Sequence, residues 1–298
     1  MNSLNILHLS DLHIGNFKYD NPATLSIKIA NTLNDAGRKV DVVVVSGDIY
    51  DGKSDTSSKD LKTAILFFET LIKQLNGKEI SSKELTNQDV IFVPGNHDLV
   101  RTDPNQYKKF DEFIREFYKG TVSPNLIVVD DYNFIYENPE KKVVILGFNS
   151  CKIELEEIKE KELEWINKID LVGFDKQSTK IKEKIKSYLE NHRKWDDFGY
   201  IDPVEMDNVF TMLKKMVPAY GDYNIVATFH HHFYPFPEIV GNRPDASFIR
   251  NYTTVLDQFQ RFKIRLVLHG HKHLSIQIAI TDNKYFEDPE SIIYVLSA

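Results

Sequence analysis

Short aliphatic runs and longer amphipathic stretches alternate along the first half of the chain. Residues 4–9 form one such run, and 40–45 another, almost wholly β-branched, as suits a central strand buried on both faces. Residues 90–93 form a third. Between these runs the apolar positions fall at helical spacing. One helix is predicted over 27–36, with Gly37 placed to cap its C-terminus, and another over 59–75, where Leu61, Ile65, Phe68, Ile72 and Leu75 make one stripe. A further helix is predicted over 107–118. Residues 126–129, 134–136 and 143–148 then read as three strands close in sequence, the start of a second, partly antiparallel sheet. Helices over 203–216 and 248–262 alternate with strands over 223–229 and 265–268, and strands over 274–280 and 292–296 close the pattern. Such alternation argues for parallel βαβ units in the first half.

The residues at the strand ends are more informative than the strands themselves. In open α/β sheets, ligands collect beyond the carboxyl ends of the strands. Five strands here end in residues able to bind metal: Asp11 with His13, Asp48, Asn96 with His97, His230, and His271 with His273. Asp11 and His13, two apart, project to the same side if the chain stays extended. Pro94 and Gly95 stop the third strand and let the backbone turn sharply. Asn96 then offers a neutral oxygen, His97 an imidazole, and Asp98 a carboxylate able to orient that imidazole. Of the 10 histidines, only His8 and His192 lie outside these loops. His8, of opposite parity to Asp11 and His13, reads as a satisfied buried histidine, and His192, ending a charged helix, as exposed.

Composition narrows the picture. The 298 residues suit one large α/β domain or two modest ones, and 42% hydrophobic with 27% charged residues is the balance of an ordinary globular protein. With 37 basic against 44 acidic residues, net −7, there is no global cationic field to collect nucleic acid or anionic membrane. Cys151 is the one cysteine, which excludes an internal disulfide framework and a Cys-rich zinc module and fits a reducing cytosol. The opening Met1-Asn2-Ser3-Leu4-Asn5 lacks the basic and apolar regions of a signal peptide, and no run approaches the ~18 apolar residues of a membrane span, so a cytoplasmic protein without membrane contact is expected. From about 152 to 200 the chain turns lysine- and glutamate-rich at helical spacing, the pattern of a charged helical insertion with a solvated face. No repeat, low-complexity tract or Gly/Ser linker divides residues 1–298, which are expected to form a single domain. The chain stops at Ala298 in what reads as strand, so a domain cut from a longer polypeptide is expected; a reading frame ending naturally there would refute that.

Oxygen and imidazole donors without thiolate suit Mn²⁺, Fe²⁺/³⁺ or Zn²⁺. Asp48, ending a central strand, is placed to bridge two ions; such pairs, ~3.5–4 Å apart, hold a bridging hydroxide beside a phosphoryl centre. The blocks Asp11-Leu12-His13, Gly47-Asp48, Gly95-Asn96-His97-Asp98, His230 and Gly270-His271-Lys272-His273 occur in the order D-x-H, G-D, G-N-H-D, H, G-H-x-H. In that order they resemble the calcineurin-like metallophosphoesterase superfamily over almost the whole chain. The resemblance implies an α/β fold, a four-layer α-β-β-α sandwich of two mixed sheets with flanking helices, and makes the single domain a catalytic one. It implies one metal ion on Asp11, His13, Asp48 and His273, and another on Asp48, Asn96, His230 and His271. His97 would contact the phosphate and protonate the leaving oxygen, with Asp98 orienting it and the bridging hydroxide as nucleophile.

The implied activity is hydrolysis of a phosphoester, with a nucleotide or other small phosphodiester first among substrates. A Mn²⁺-dependent nuclease resembling the double-strand-break repair nucleases is the alternative. The opening Ile6-Leu7-His8-Leu9-Ser10-Asp11-Leu12-His13-Ile14-Gly15 is compatible with it. Net acidity and the lack of a basic stripe with interleaved aromatics count against it. A non-catalytic protein-binding scaffold of the same fold is the third reading, and retention of every ligand block counts against that. Protein partners are unknown from the sequence.

Several neighbouring residues stay open. Counting from the strand end, His230 matches the ligand, while His231 and His232 are either supporting or substrate-facing residues or plain loop. His269 reads as a non-ligand, and Cys151 as a small buried residue rather than a nucleophile. Arg101, Tyr50 and Asp51 lie close after ligand loops, where they could line a substrate pocket, yet surface placement is expected of each.

Overall fold

The computed structural model describes residues 3–15, 21–51, 58–100, 105–120, 123–130, 132–151, 199–234, 248–271, 273, 275–280 and 292–298. The expected insertion at about 152–200 falls outside them except for Gly199 and Tyr200, as do Arg101 and His192.

The first half is built as β1 (Ile6–Leu9), α1 (Pro22–Asp35), β2 (Val42–Ser46), α2 (Ser58–Gly77), β3 (Val90–Val93) and α3 (Lys108–Tyr118). Then come β4 (Leu126–Val128), β5 (Phe134–Asn138), β6 (Val143–Gly147), α4 (Pro203–Met216), β7 (Asn224–Thr228), α5 (Tyr252–Arg261), β8 (Ile264–His269), β9 (Gln277–Ile280) and β10 (Ile293–Ser297). A small sheet has the order β1-β2-β3 and a larger one β4-β5-β6-β7-β8-β10-β9. Every pairing in the small sheet is parallel. The larger sheet is mixed: β6, β7, β8 and β10 run parallel, and β4, β5 and β9 pair antiparallel at its edges. Residues 126–147 thus do open a second, partly antiparallel sheet.

The apolar side chains sort into three layers, which makes the expected four-layer sandwich. Val43 and Val45 of β2 point to α1, α2 and α3 with Phe67, Phe68 and Phe113. Val42 and Val44, on the other face of β2, meet Phe134, Tyr136, Val143, Ile145, Val226 and Leu268 from the larger sheet. Val144, Leu146, Ile225 and Ala227 of that sheet face outward onto α4 and α5, against Phe210 and Phe259. A strand buried on both faces needs apolar residues at consecutive positions, and the unbroken Val42–Val45 run answers to that.

Two element starts differ from the sequence pattern. α1 begins at Pro22 rather than 27, because the Asn21 side chain accepts the Ala23 N–H and proline occupies the first turn. α5 begins at Tyr252 rather than 248, because the preceding residues bridge to other segments, Phe248 with His232 and Ile249 with Gly199. Among the described residues no helix is long and apolar enough to cross a membrane.

Register brings the strand ends level. Leu9 lies opposite Val45, and Ser46 opposite Val93. In the larger sheet Gly147 lies opposite Thr228, and Thr228 opposite Leu268. The loops that leave β1, β2, β3, β6, β7 and β8 therefore emerge along one rim.

Candidate metal centre

At that rim the backbone leaves the extended conformation abruptly. Nine non-glycine residues have positive φ among those described, and five of them are Asp11, His13, Asp48, His271 and His273. Side chains rarely adopt this region, and such strain gathers where surrounding structure enforces it for function. The condition that Asp11-Leu12-His13 stays extended is therefore not met: Asp11 and His13 take positive φ, with Asp11 N–H bonded to Gly47 O at 3.1 Å and His13 N–H to Asp48 O at 3.0 Å. The two side chains still meet, His13 Nε2 lying 3.9 Å from Asp11 Oδ1.

The loops also approach more closely than side chains would permit. A Cβ on Gly95 would collide with the backbone nitrogen and carboxylate of Asp48, and one on Gly270 with the side chains of Ser10 and Asp11. Glycine is required at both positions by that close packing.

Three groups of metal-competent side chains result, each with its ligand atoms mutually within 4.8 Å: Asp11, His13 and His273; His13, Asp48 and His97; Asp48, His230 and His271. Shared members make them one continuous cluster, with Asp48 at its middle. Asp48 Oδ2 lies 3.8 Å from His13 Nε2, 3.9 Å from His97 Nε2 and 3.3 Å from His230 Nε2. Its Oδ1 accepts the His97 N–H at 2.8 Å. Asn96 Oδ1 stands 2.8 Å from His230 Nε2 and 3.0 Å from His271 Nδ1. Across the rim, Asp11 accepts the His271 N–H at 2.9 Å and 3.1 Å on its two oxygens, and His273 Nε2 lies 3.9 Å from Asp11 Oδ1. All seven candidate ligands and His97 thus converge.

The chemistry of this donor set fits a cation. His230 Nδ1 sits 2.8 Å from Ser46 O, a carbonyl that only accepts, so Nδ1 carries hydrogen and Nε2 is turned toward the cluster. There Nε2 meets Asp48 Oδ2, Asn96 Oδ1 and His271 Nδ1, the last at 3.1 Å, all bearing lone pairs. Lone pairs packed this closely need positive charge between them. Burial opposes protonation of His230, yet the charge and hydrogen bond of Asp48, with Asp11 behind, push its pKa up to about 9. Burial likewise works to raise the Asp48 carboxyl, but His230, His97 and His13 outweigh it and hold that group below the ordinary carboxylate range. A divalent ion supplies the same positive charge with no proton needed. Burial, ahead of its charged neighbours, lowers His13, leaving the neutral imidazole a metal requires.

Asp98 is fully buried, and both of its oxygens accept backbone N–H groups, from Gly95 at 2.9 Å and Tyr50 at 3.1 Å. It therefore shapes the Asn96–Asp98 turn. Burial and the nearby Asp48 charge push its carboxyl up to about 7 against those hydrogen bonds. Tyr50 corrects the surface placement expected of it: it is 1% exposed, packed edge-on to Phe113, and burial raises its pKa.

His231 and His232 are buried, the His231 ring 4.6 Å from that of His271. His269 is buried and belongs to none of the three groups, while Cys151 is buried as expected. His8 finds a partner in Ser46 Oγ at 2.8 Å. The sequence pattern missed the serines. Ser10 Oγ donates to Ser46 O at 3.1 Å, beside the His230 contact, and Ser150 Oγ lies behind His230. Ser10 carries one visible mark, a small polar residue directly after an aliphatic run, and Ser150 carries none.

No curated protein matches the chain. Among solved structures, phosphopantetheinyl hydrolase from Mycobacterium tuberculosis aligns over 100% of this chain and 90% of its own, at 14% identity and a TM-score of 0.49, a distant likeness. The sequence family described as calcineurin-like phosphoesterase matches residues 4–275, a span that runs from β1 through the loop carrying His273. On that match the chain belongs to the calcineurin-like phosphoesterase family and is a phosphoric ester hydrolase.

Proposed function

We propose that this hydrolase acts on phosphodiesters, with two metal ions held along the rim and Asp48 shared between them. The observation that carries the reading is the continuity of the three ligand groups through Asp48. Asp11, His13 and His273 would complete one ion's shell with Asp48, and Asn96, His230 and His271 the other's. When bound, Mn²⁺, Fe²⁺/³⁺ or Zn²⁺ ions supply Lewis acidity at the phosphoryl oxygens and an activated water.

The remaining work belongs to the chain. The His97 side chain keeps 37% exposure beside the buried Asp48, so it reaches both the cluster and an incoming ester. It donates its proton to the oxygen that leaves phosphorus. The His97 N–H to Asp48 and the two backbone bonds to Asp98 fix the turn, so the imidazole is aimed before substrate arrives. A net charge of −7 disfavours long polyanions, which supports a small diester over nucleic acid.

The test is a metal screen with bis-p-nitrophenyl phosphate beside p-nitrophenyl phosphate and single-stranded DNA. Diester turnover with Mn²⁺ above monoester turnover is expected, with two ions per chain by calorimetry. Preference for the monoester would overturn the diester reading, and salt-sensitive DNA cleavage would move the assignment to a nuclease.

A further inference from the structure

We infer that Ser150, at the end of a strand that supplies no metal ligand, is a positioning residue that sets His230 and hence the affinity of the second metal ion. The inference rests on the two-ion reading above.

The observation is a fully used hydroxyl. Ser150 is completely buried just beyond β6. Its Oγ lies 3.2 Å from the backbone nitrogen of His230, 3.2 Å from that of His231, and 3.0 Å from His231 Nδ1. A hydroxyl has two lone pairs and one hydrogen. The two N–H groups occupy both lone pairs, so the hydrogen goes to His231 Nδ1. That assigns the tautomer: His231 accepts at Nδ1 and carries its hydrogen on Nε2. One atom thereby pins consecutive peptide nitrogens at the point where the chain leaves β7, fixing the backbone from which the His230 side chain departs, while Ser46 O holds its ring.

The flanking residues turn this into a bracket between the two sheets. Asn149 accepts the Cys151 N–H at 2.9 Å and donates through Nδ2 to the Tyr107 hydroxyl at 2.7 Å. Cys151 Sγ donates to Pro94 O at 3.3 Å, immediately before Gly95 and Asn96. The three residues 149–151 therefore touch the segment that delivers Asn96 and the segment that delivers His230. The distance they help set is the 2.8 Å between Asn96 Oδ1 and His230 Nε2. Groups that orient metal ligands typically change affinity about 10–100-fold when removed.

The experiment measures Mn²⁺ binding by calorimetry and the visible spectrum of the Co²⁺-loaded protein for wild type, Ser150→Ala and Ser150→Thr, with thermal unfolding recorded without added metal. Ser150→Ala is expected to bind one ion as wild type does and the other about 10–100-fold more weakly, with an altered Co²⁺ spectrum. Ser150→Thr, which keeps the hydroxyl, is expected to restore both. If Ser150→Ala does not fold, Ser150→Cys takes its place, a poor acceptor of similar volume. Unchanged binding and spectrum, equal weakening of both ions, or a Ser150→Thr protein no better than Ser150→Ala would overturn the inference. Wild type binding fewer than two ions would instead bring down the two-ion reading on which it stands.

Discussion

The two sheets contribute unlike chemistry to one rim. The small parallel sheet delivers both carboxylates, Asp11 and Asp48, with the Asn96 amide and two imidazoles. The larger mixed sheet delivers imidazoles alone, His230, His271 and His273. Negative charge is thus concentrated on one side, and the other side supplies neutral, directional lone pairs. Losing the shared carboxylate should unsettle both cations, whereas losing a histidine from the larger sheet should cost only one of them. The sides are not independent, since the carbonyl of Ser46 on the small sheet fixes the ring of His230 on the large one.

The most severe test of that contrast is Asp48→Asn. The amide oxygen can still accept the His97 N–H, so the loop keeps its shape while the central charge disappears. Activity should drop to background and calorimetry should no longer register two ions; retention of both would erase the distinction between the sheets. Next is His230→Ala on the imidazole side. Metal analysis should fall from two ions to one, with Asp11, His13, Asp48 and His273 still occupied, and turnover should fall sharply. An empty centre in that variant would mean that charge and geometry are not divided as described.

His97→Ala should leave both ions in place and make the rate depend on the leaving group. With an alkyl ester, whose oxygen needs a proton to depart, a fall of about 10²–10⁴ is expected. With a p-nitrophenyl ester, which departs as a stable phenolate, the fall should be much smaller. Equal losses for both esters would count against proton donation by this residue. The mildest effect concerns His8. Burial lowers its pKa to about 4, below the ordinary value of 6.5, so the folded state holds it neutral. As pH falls through 6.5 toward 4 the unfolded chain takes up a proton that the folded chain refuses, and stability declines. His8→Gln should flatten that decline in thermal melts between pH 7 and 5, and an identical slope in both proteins would show that His8 does not contribute.

Much of this was legible in the sequence for a physical reason. Valine runs such as that of β2 have no comfortable place except between two apolar layers, and the blocks at their ends stand level once the strands run parallel. The convergence of Asp11, Asp48, Asn96, His230 and His273 came from topology. The shape of the turns did not. Nothing in Asp11-Leu12-His13 announces a left-handed backbone, which is imposed by hydrogen bonds to Gly47 and Asp48, distant in sequence. Nor do Ser10 and Ser150 advertise themselves, because their value lies in which carbonyl or amide stands opposite them across the fold. Tyr50 was misplaced for a similar reason: beside two aspartates it looks exposed, yet α3 brings Phe113 and the Lys109 ammonium against its ring.

The layer between the sheets has a mechanical consequence. Val42, Val44, Ile91 and Val93 meet Phe134, Tyr136, Ile145 and Val226 directly beneath the rim, and the donors above are divided between the same two sheets. A cation gripped from both sides would act as a rivet through the top of that seam. Prying the halves apart and releasing the cation would then be a single event, so the protein's resistance to heat should climb with the concentration of free metal.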